Sequence, residues 1–248
     1  MNNLQEYIRQ HAMRTPDKPA FVVGDQRVSY KQLAQALSAG RGDKQGSALP
    51  GLPGTLPIHR LFGDITLSTT GTTGKPKQVV YTSQMVLANA ENLVEAQGFT
   101  ADTTFVICGP LNHLGSLSKV WPVMLVGGTV VLLDGLKDMN AFFRAMHTAP
   151  RGMATFLVPT AIHQLLQWGS DQLAALASAI DFIETGAAPM PHDDMLRLCQ
   201  LLPHTRLYNT YASTETGIVC TYNYNDGQYL AGCVGRPTRH AQVKITGD

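Results

Sequence analysis

Apolar positions along this chain switch between two periods, and the switching gives the order of its elements. Leu4, Tyr7, Ile8 and Ala12 recur at helical spacing, and Thr15-Pro16-Asp17-Lys18-Pro19 ends the helix they predict. Ala20-Phe21-Val22-Val23 and Arg27-Val28-Ser29 flank the turn Gly24-Asp25-Gln26 and read as a hairpin. Ser29 and Gln32 then form a capping box for a helix through Ala39. The Gly- and Pro-rich stretch from Gly40 to Pro57 has no period and reads as a linker.

Beyond it, strands are predicted at 65–67, 79–81, 104–108, 129–133, 154–158, 180–184 and 206–208. Helices are predicted from the cap Ser83 to Gly98, at 116–126, from the cap Asp138 to His147, and at 162–168 and 190–202, the last opened by Pro191. This alternation implies an α/β fold, a mainly parallel sheet flanked by helices whose ligands collect at the carboxyl ends of its strands. Ile218 to Tyr224, the turn Asn225-Asp226-Gly227 and Val243 to Ile245 predict instead a small antiparallel, barrel-like β piece near the C-terminus. The expected organisation is a helix, hairpin and helix at 1–39, a linker at 40–60, an α/β core at 61–216 and a β-rich closing segment at 217–248.

Composition narrows the function without naming it. With 44% hydrophobic residues, 248 residues can bury a sizeable core. The 19 basic and 18 acidic residues leave a formal charge of +1, no electrostatic footprint for nucleic acid or anionic lipid. Cys108, Cys199, Cys220 and Cys233 show no CxxC spacing and sit in or beside apolar runs, as reduced, buried thiols do, and the histidines have no zinc-site spacing. No apolar run approaches the ~18 residues a bilayer demands, and MNNLQEYIRQ lacks the apolar core of a signal peptide. A cytoplasmic protein with neither membrane nor nucleic-acid partner is expected.

The candidate chemistry begins at STTGTTGKPK, Ser68 to Lys77. Glycines let backbone N–H groups turn toward one point, hydroxyls add donors around it, and lysines bring positive charge, which together make a cradle for phosphate oxygens. Only Thr72 and Thr73 separate Gly71 from Gly74, and Pro76 follows Lys75, so this is not a Walker loop. Nor does a GxGxxG follow any strand, which argues against a dinucleotide fold. A second loop, Asn209 to Gly217, delivers an aromatic ring, hydroxyls and a carboxylate directly after a strand. Glu184 to Pro191 and Gly109 to Leu117 are further strand-to-helix turns, the latter with His113.

These segments carry a resemblance. Thr69-Thr70-Gly71-Thr72-Thr73-Gly74-Lys75-Pro76-Lys77 is similar to the phosphate loop of the adenylate-forming superfamily, which comprises acyl-CoA synthetases, adenylation domains of peptide synthetases and luciferases. By that resemblance Thr69, Thr70, Gly71, Thr72, Thr73, Gly74 and Lys77 hold the β- and γ-phosphates of ATP, with Lys75 more exposed and less critical. Asn209 to Gly217 resembles the family's Tyr-Gly-x-Thr-Glu motif. This implies that Tyr211 stacks on adenine beside Asn209 and Thr210, that Thr214 meets the α-phosphate, and that Glu215 holds Mg²⁺. Ala212 stands where the family has Gly, which fits only a negative φ.

Gly186-Ala187-Ala188-Pro189 resembles the Gly-Gly-Ala-Pro segment of the adenine site, with Ala187 in place of the second Gly. His113, Leu114 and Gly115 match the segment bordering the acyl pocket. The absence of an acidic residue there favours a simple carboxylic acid over an amino acid. Val234-Gly235-Arg236-Pro237 resembles a structural turn of the family, whereas Thr246-Gly247-Asp248 falls too soon after it to be the ribose-binding motif it mimics. Family members carry a further lobe where this chain has the linker, and their catalytic-Lys domain is expected past Asp248.

The resemblance implies attack of a carboxylate on ATP, with Thr214, Glu215 and Lys77 as the catalytic set, and transfer of the acyl group to the thiol of CoA or a carrier protein. The alternative is a nucleotide- or acyl-binding module without turnover, or a fragment needing a partner domain.

Overall fold

The computed structural model describes residues 3–39, 61–69, 77–226 and 232–246. The linker from Gly40 to Pro57, the heart of the phosphate-loop motif from Thr70 to Pro76, and Gly227, Gly247 and Asp248 lie outside them.

Helix α1 (Leu4–Arg14) buries Leu4 and Ile8, the hairpin of β1 (Pro19–Val23) and β2 (Gln26–Ser29) follows, and α2 (Tyr30–Ala39) begins at the expected box. The Ser29 N–H donates to Gln32 Oε1 at 2.8 Å and the Gln32 N–H to Ser29 Oγ at 3.3 Å. Next, β3 (Ile65–Thr69) and β4 (Lys77–Tyr81) pair antiparallel in a sheet of their own, with Thr69 opposite Lys77. Helix α3 (Ser83–Gln97) is capped by Thr82 rather than Ser83: Thr82 Oγ1 accepts the Met85 N–H at 3.3 Å. Either hydroxyl suits a cap. Tertiary contact chose between them, because Asp64 Oδ1 takes both the N–H and the hydroxyl of Ser83 at 2.8 Å.

The chain continues through β5 (Thr104–Ile107), α4 (Leu114–Val126), β6 (Thr129–Leu132), α5 (Met139–Met146), β7 (Met153–Phe156), α6 (Pro159–Trp168), α7 (Ser170–Ala175), β8 (Ile180–Gly186), α8 (His192–Leu201), β9 (Arg206–Ser213), β10 (Gly217–Asn223) and β11 (Arg236–Pro237). Asp138 caps α5 as expected, accepting the Ala141 N–H at 3.0 Å. Pro191 is the extended N-cap of α8 rather than its first helical residue. The six-residue α7, too short to show a period, was not anticipated. Strands β8 and β9 run past their apolar residues because their polar ends still pair, Gly186 opposite Thr210. Val243 to Ile245 form no strand; β10 and β11 instead extend the main sheet antiparallel at its edge, in place of a separate barrel.

The sheet order is β11-β10-β9-β8-β7-β5-β6-β1-β2, with β9, β8, β7, β5, β6 and β1 parallel and antiparallel strands at both edges. From β5 the chain crosses to β6 on one side and returns to β7 on the other. The order therefore reverses between β5 and β7, where the loops leaving the two strands diverge and open a crevice. One face is covered by α1, α2, α3 and α4, the other by α5, α6, α7 and α8. Helix α4 is buried from Ser116 to Met124, and its Trp121 Nε1 donates to the Leu61 carbonyl at 2.9 Å and packs on Tyr81 of β4.

Candidate active site at the carboxyl edge of the sheet

The reversal between β5 and β7 holds a cavity of about 550 Å³. The loop after β5 supplies Gly109, Pro110 and His113; the first turn of α4 supplies Leu114, Gly115 and Ser116. Phe156, Leu157 and Val158 come from the end of β7, and Thr160, Ala161 and Gln164 from α6. Its walls are mainly apolar, and no Asp, Glu, Lys or Arg lines it among the described residues. His113 is the N-cap of α4 without a side-chain capping bond, so its exposed imidazole is spared for the cavity mouth. Burial pushes the thiol of Cys108, which also lines this space, up to about 12.

A second cavity, about 430 Å³, opens beside the ends of β8 and β9. Gly186 to Met190 form one side, Asn209, Thr210 and Tyr211 another, and Tyr224 with Gly232, Cys233 and Val234 a third. Gly186 is obligatory there: a Cβ would lie 2.6 Å from the Thr210 carbonyl oxygen on the paired strand. The next residue, Ala187, lines both cavities and has φ of 67°, the left-handed region that a side chain resists.

Between the cavities and the β3–β4 hairpin lies the turn from Ser213 to Gly217. Ser213 and Thr216 close it reciprocally: the Ser213 N–H reaches Thr216 Oγ1 at 3.3 Å, the Thr216 N–H reaches Ser213 Oγ at 3.2 Å, and the hydroxyls meet at 3.0 Å. Tyr81 at the end of β4 donates its buried hydroxyl to the Thr214 carbonyl at 2.8 Å. The strand that follows the Ser68–Lys77 segment is thereby pinned to the turn at Thr214, 133 positions away. From below, Asn89 of α3 accepts the Ile218 N–H at 2.8 Å and donates to the Met85 carbonyl at 2.8 Å.

With this geometry in view, the comparisons with known proteins decide the family. The family described as AMP-binding enzyme matches residues 67–248. The chain belongs to that family. It is 31% identical over 228 residues to an indoleacetate–CoA ligase of Aromatoleum aromaticum, a match covering 89% of this chain and 41% of that protein. The chain spans well under half the length of the curated relatives it matches. Among solved structures, the N-terminal domain of FACL13 from Mycobacterium tuberculosis, bound to an inhibitor, superposes with a TM-score of 0.76 at 17% identity, covering 96% of this chain and 83% of that one. The Klebsiella oxytoca NpsA N-terminal subdomain, in complex with 3-hydroxyanthranilyl-AMSN, gives 0.74 at 15% identity, with 96% and 81% covered. These likenesses are of fold: it is the N-terminal domain portion of the adenylate-forming superfamily.

Within this AMP-binding fold, His113, Leu114 and Gly115 line the first cavity, and Gly186, Ala187, Ala188, Asn209, Thr210 and Tyr211 line the second. Thr214 borders the first, and Glu215 is exposed beside it. Lys77 is exposed at the start of β4, and Thr69 ends β3; Thr70, Gly71, Thr72, Thr73 and Gly74 lie outside the described residues. Ala212 sits in β9 without a positive φ and so fits, whereas Ala187 carries the conformation its missing Gly would take.

Sequence reasoning predicted the strand holding Phe156 and the helix α6 but assigned neither to the site, although the dipeptide Val158-Pro159 marked a strand end feeding a helix. It also missed Gly232 and Cys233, which carry no local signal, and read Val234 only as part of a structural turn. Of the four cysteines, all free thiols, only Cys220 is fully buried. No helix among the described residues is long and apolar enough to cross a membrane, and no cluster of three metal-ligating side chains occurs among them.

Proposed function

We propose that this chain activates a carboxylic acid as its acyl-adenylate, with the acid in the first cavity and the nucleotide base in the second. The observation that carries the reading is that Ala187 lines both cavities. A carboxylate in one therefore lies within reach of a phosphate leading out of the other, and such placement supplies much of what an in-line displacement requires. The acid's oxygen forms a bond to the α-phosphorus, the bond to the β-phosphate oxygen breaks, and pyrophosphate leaves. A thiol, CoA or a carrier protein's, then takes the acyl group and AMP departs.

Tyr211, with its side chain half exposed, offers a ring face for adenine between Gly186–Ala188 and Asn209–Thr210. Thr214, anchored through its carbonyl, is assigned to the α-phosphate. Thr69, Thr70, Gly71, Thr72, Thr73, Gly74 and Lys77 are assigned to the β- and γ-phosphates. Glu215 suits Mg²⁺, which takes one or two protein carboxylates and completes its shell with phosphate and water oxygens. The ion would offset the charge that develops on the departing pyrophosphate. The uncharged cavity favours an acid with an apolar body, and the free thiols favour a reducing compartment such as the cytoplasm.

Calorimetry with AMP, ATP plus Mg²⁺, and acyl-sulfamoyl adenosines tests the reading. Tyr211→Ala is expected to weaken AMP by about 10-fold or more, the usual worth of a base–aromatic stack. Glu215→Ala is expected to remove the Mg²⁺ dependence of ATP binding. Failure of the unaltered chain to bind any adenine nucleotide would refute the proposal. Nucleotide binding without pyrophosphate exchange would favour a binding module instead.

A further inference from the structure

Beneath the first cavity lies a charged pair that the proposed chemistry leaves unused. Lys119 of α4 and Glu184 of β8 meet at 2.5 Å, Nζ to Oε1, with side-chain exposures of 2% and 0%. Glu184 Oε2 is buried and has no hydrogen-bond partner among the described residues. An apolar pair of similar volume would commonly stabilise a core as well or better, so burial of two charges points to a role other than stability.

Their positions supply that role. Gly115 and Lys119 are four residues apart on one face of α4, a rise of about 6 Å. Glu184 and Gly186 are two residues apart on one face of β8, a rise of about 6.6 Å. The two spacings match, and the side-chain contacts between them fall in two layers, with Phe156 of β7 in the first. In the upper layer the ring of Phe156 is wedged between glycines: a Cβ on Gly115 would stand 3.4 Å from its Cε1, and one on Gly186 would stand 3.8 Å from its Cε2. In the lower layer Lys119 pairs with Glu184, and its ammonium lies 5.0 Å from the centre of the Phe156 ring. Gly115 and Phe156 line the acid's cavity, and Gly186 lines the base's.

We infer that Lys119 and Glu184 are positioning residues that lock α4 in register with β8, so that the acyl and nucleotide cavities keep the separation one acyl-adenylate spans. An apolar contact tolerates sliding, because dispersion has no direction; a short, buried, charge-assisted hydrogen bond does not. Phe156, seated on this pair, sets the depth of the acyl cavity.

The inference rests on the two-cavity reading above, and one experiment separates the two. AMP occupies only the base's cavity, whereas an acyl-sulfamoyl adenosine spans both; the ratio of their affinities therefore reports register and not stability. The tightest binder from a panel of aryl, medium-chain and long-chain acyl groups is compared with AMP by calorimetry. In Lys119→Met, and in the double variant Lys119→Met/Glu184→Met that leaves no charge uncompensated, the spanning ligand is expected to weaken about 10-fold more than AMP does. Lys119→Arg, which keeps the pair, is expected to preserve the ratio. An unchanged ratio in the double variant overturns the inference, as does parallel loss of both ligands or loss of the fold in both methionine variants. If the unaltered chain binds AMP and no spanning ligand more tightly, the two-cavity reading itself falls.

Discussion

Ala187 is strained at the seam between the two cavities, and removing its Cβ tests that directly. Among the described residues it is the non-glycine residue with positive φ, at 67°. A side chain in the left-handed region costs about 1–2 kcal/mol relative to the right-handed one. Ala187→Gly relieves that cost but enlarges the freedom of the unfolded chain, which returns about 0.5–1 kcal/mol. The net is a stabilisation of about 0.5–1 kcal/mol. Ala212→Gly is the matched control, since Ala212 also stands where the family has Gly but lies in β9 without a positive φ. There only the entropic loss remains, so the same substitution should destabilise by about 0.5–1 kcal/mol. Urea unfolding monitored by circular dichroism should show midpoints moving in opposite directions at equal slope, and thermal midpoints a few degrees apart, since ~1 kcal/mol is worth about 2–4 °C in a chain of this size. Equal destabilisation by both would show that the strain at Ala187 is not stored in its backbone. A strained residue shared by both cavities is also where rigidity serves ligand placement, so the more stable Gly variant should bind the spanning ligand no better.

Other expectations follow from single contacts. Gly186→Ala puts a methyl 2.6 Å from a backbone oxygen of β9 that cannot retreat, so a loss of about 1–3 kcal/mol and weaker AMP binding are expected, read by urea unfolding and calorimetry. Asp64 is held below the ordinary carboxylate value of 3.8 by the hydrogen bonds from Ser83. A depressed folded value means that its stabilisation is present above 3.8 and lost as pH falls through the folded value. Asp64→Asn should therefore flatten the acid limb of the stability profile, and an unchanged limb would refute the assignment. Cys108 lines the first cavity, yet burial raises its thiol to about 12. Peptide mass spectrometry should find it unalkylated by iodoacetamide near pH 8 in the folded protein and modified once urea exposes it.

Much of the site was legible before any coordinates because its parts are local. The aromatic and carboxylate of Tyr211 to Glu215 and the small residues of Gly186 to Ala188 each announce a turn at a strand end within a few positions. The capping box at Ser29 and Gln32 does the same, since both of its bonds close over three residues. Amino-acid sequence alone determined these elements, the alternation of strand and helix, and the end of the strands at which the two cavities open.

Tertiary structure decided what joins them. Ser83 and Thr82 were equivalent caps until Asp64 came alongside. Asn89 and Asn92 look like solvent-facing polar residues of α3, yet they clamp Ile218 from 129 and 126 positions away. Ala187, in the turn just past β8, has a positive φ, whereas Ala212, paired with Ile218 inside β9, does not. Phe156, Lys119 and Glu184 share no motif; they meet because the strand order sets β7 between β5 and β8, and the Lys119 side chain reaches Glu184 from α4. Short-range hydrogen bonds and sterics write the elements into neighbouring residues, whereas strand order and side-chain partners arise from contacts across a hundred positions, which leave no local pattern to read.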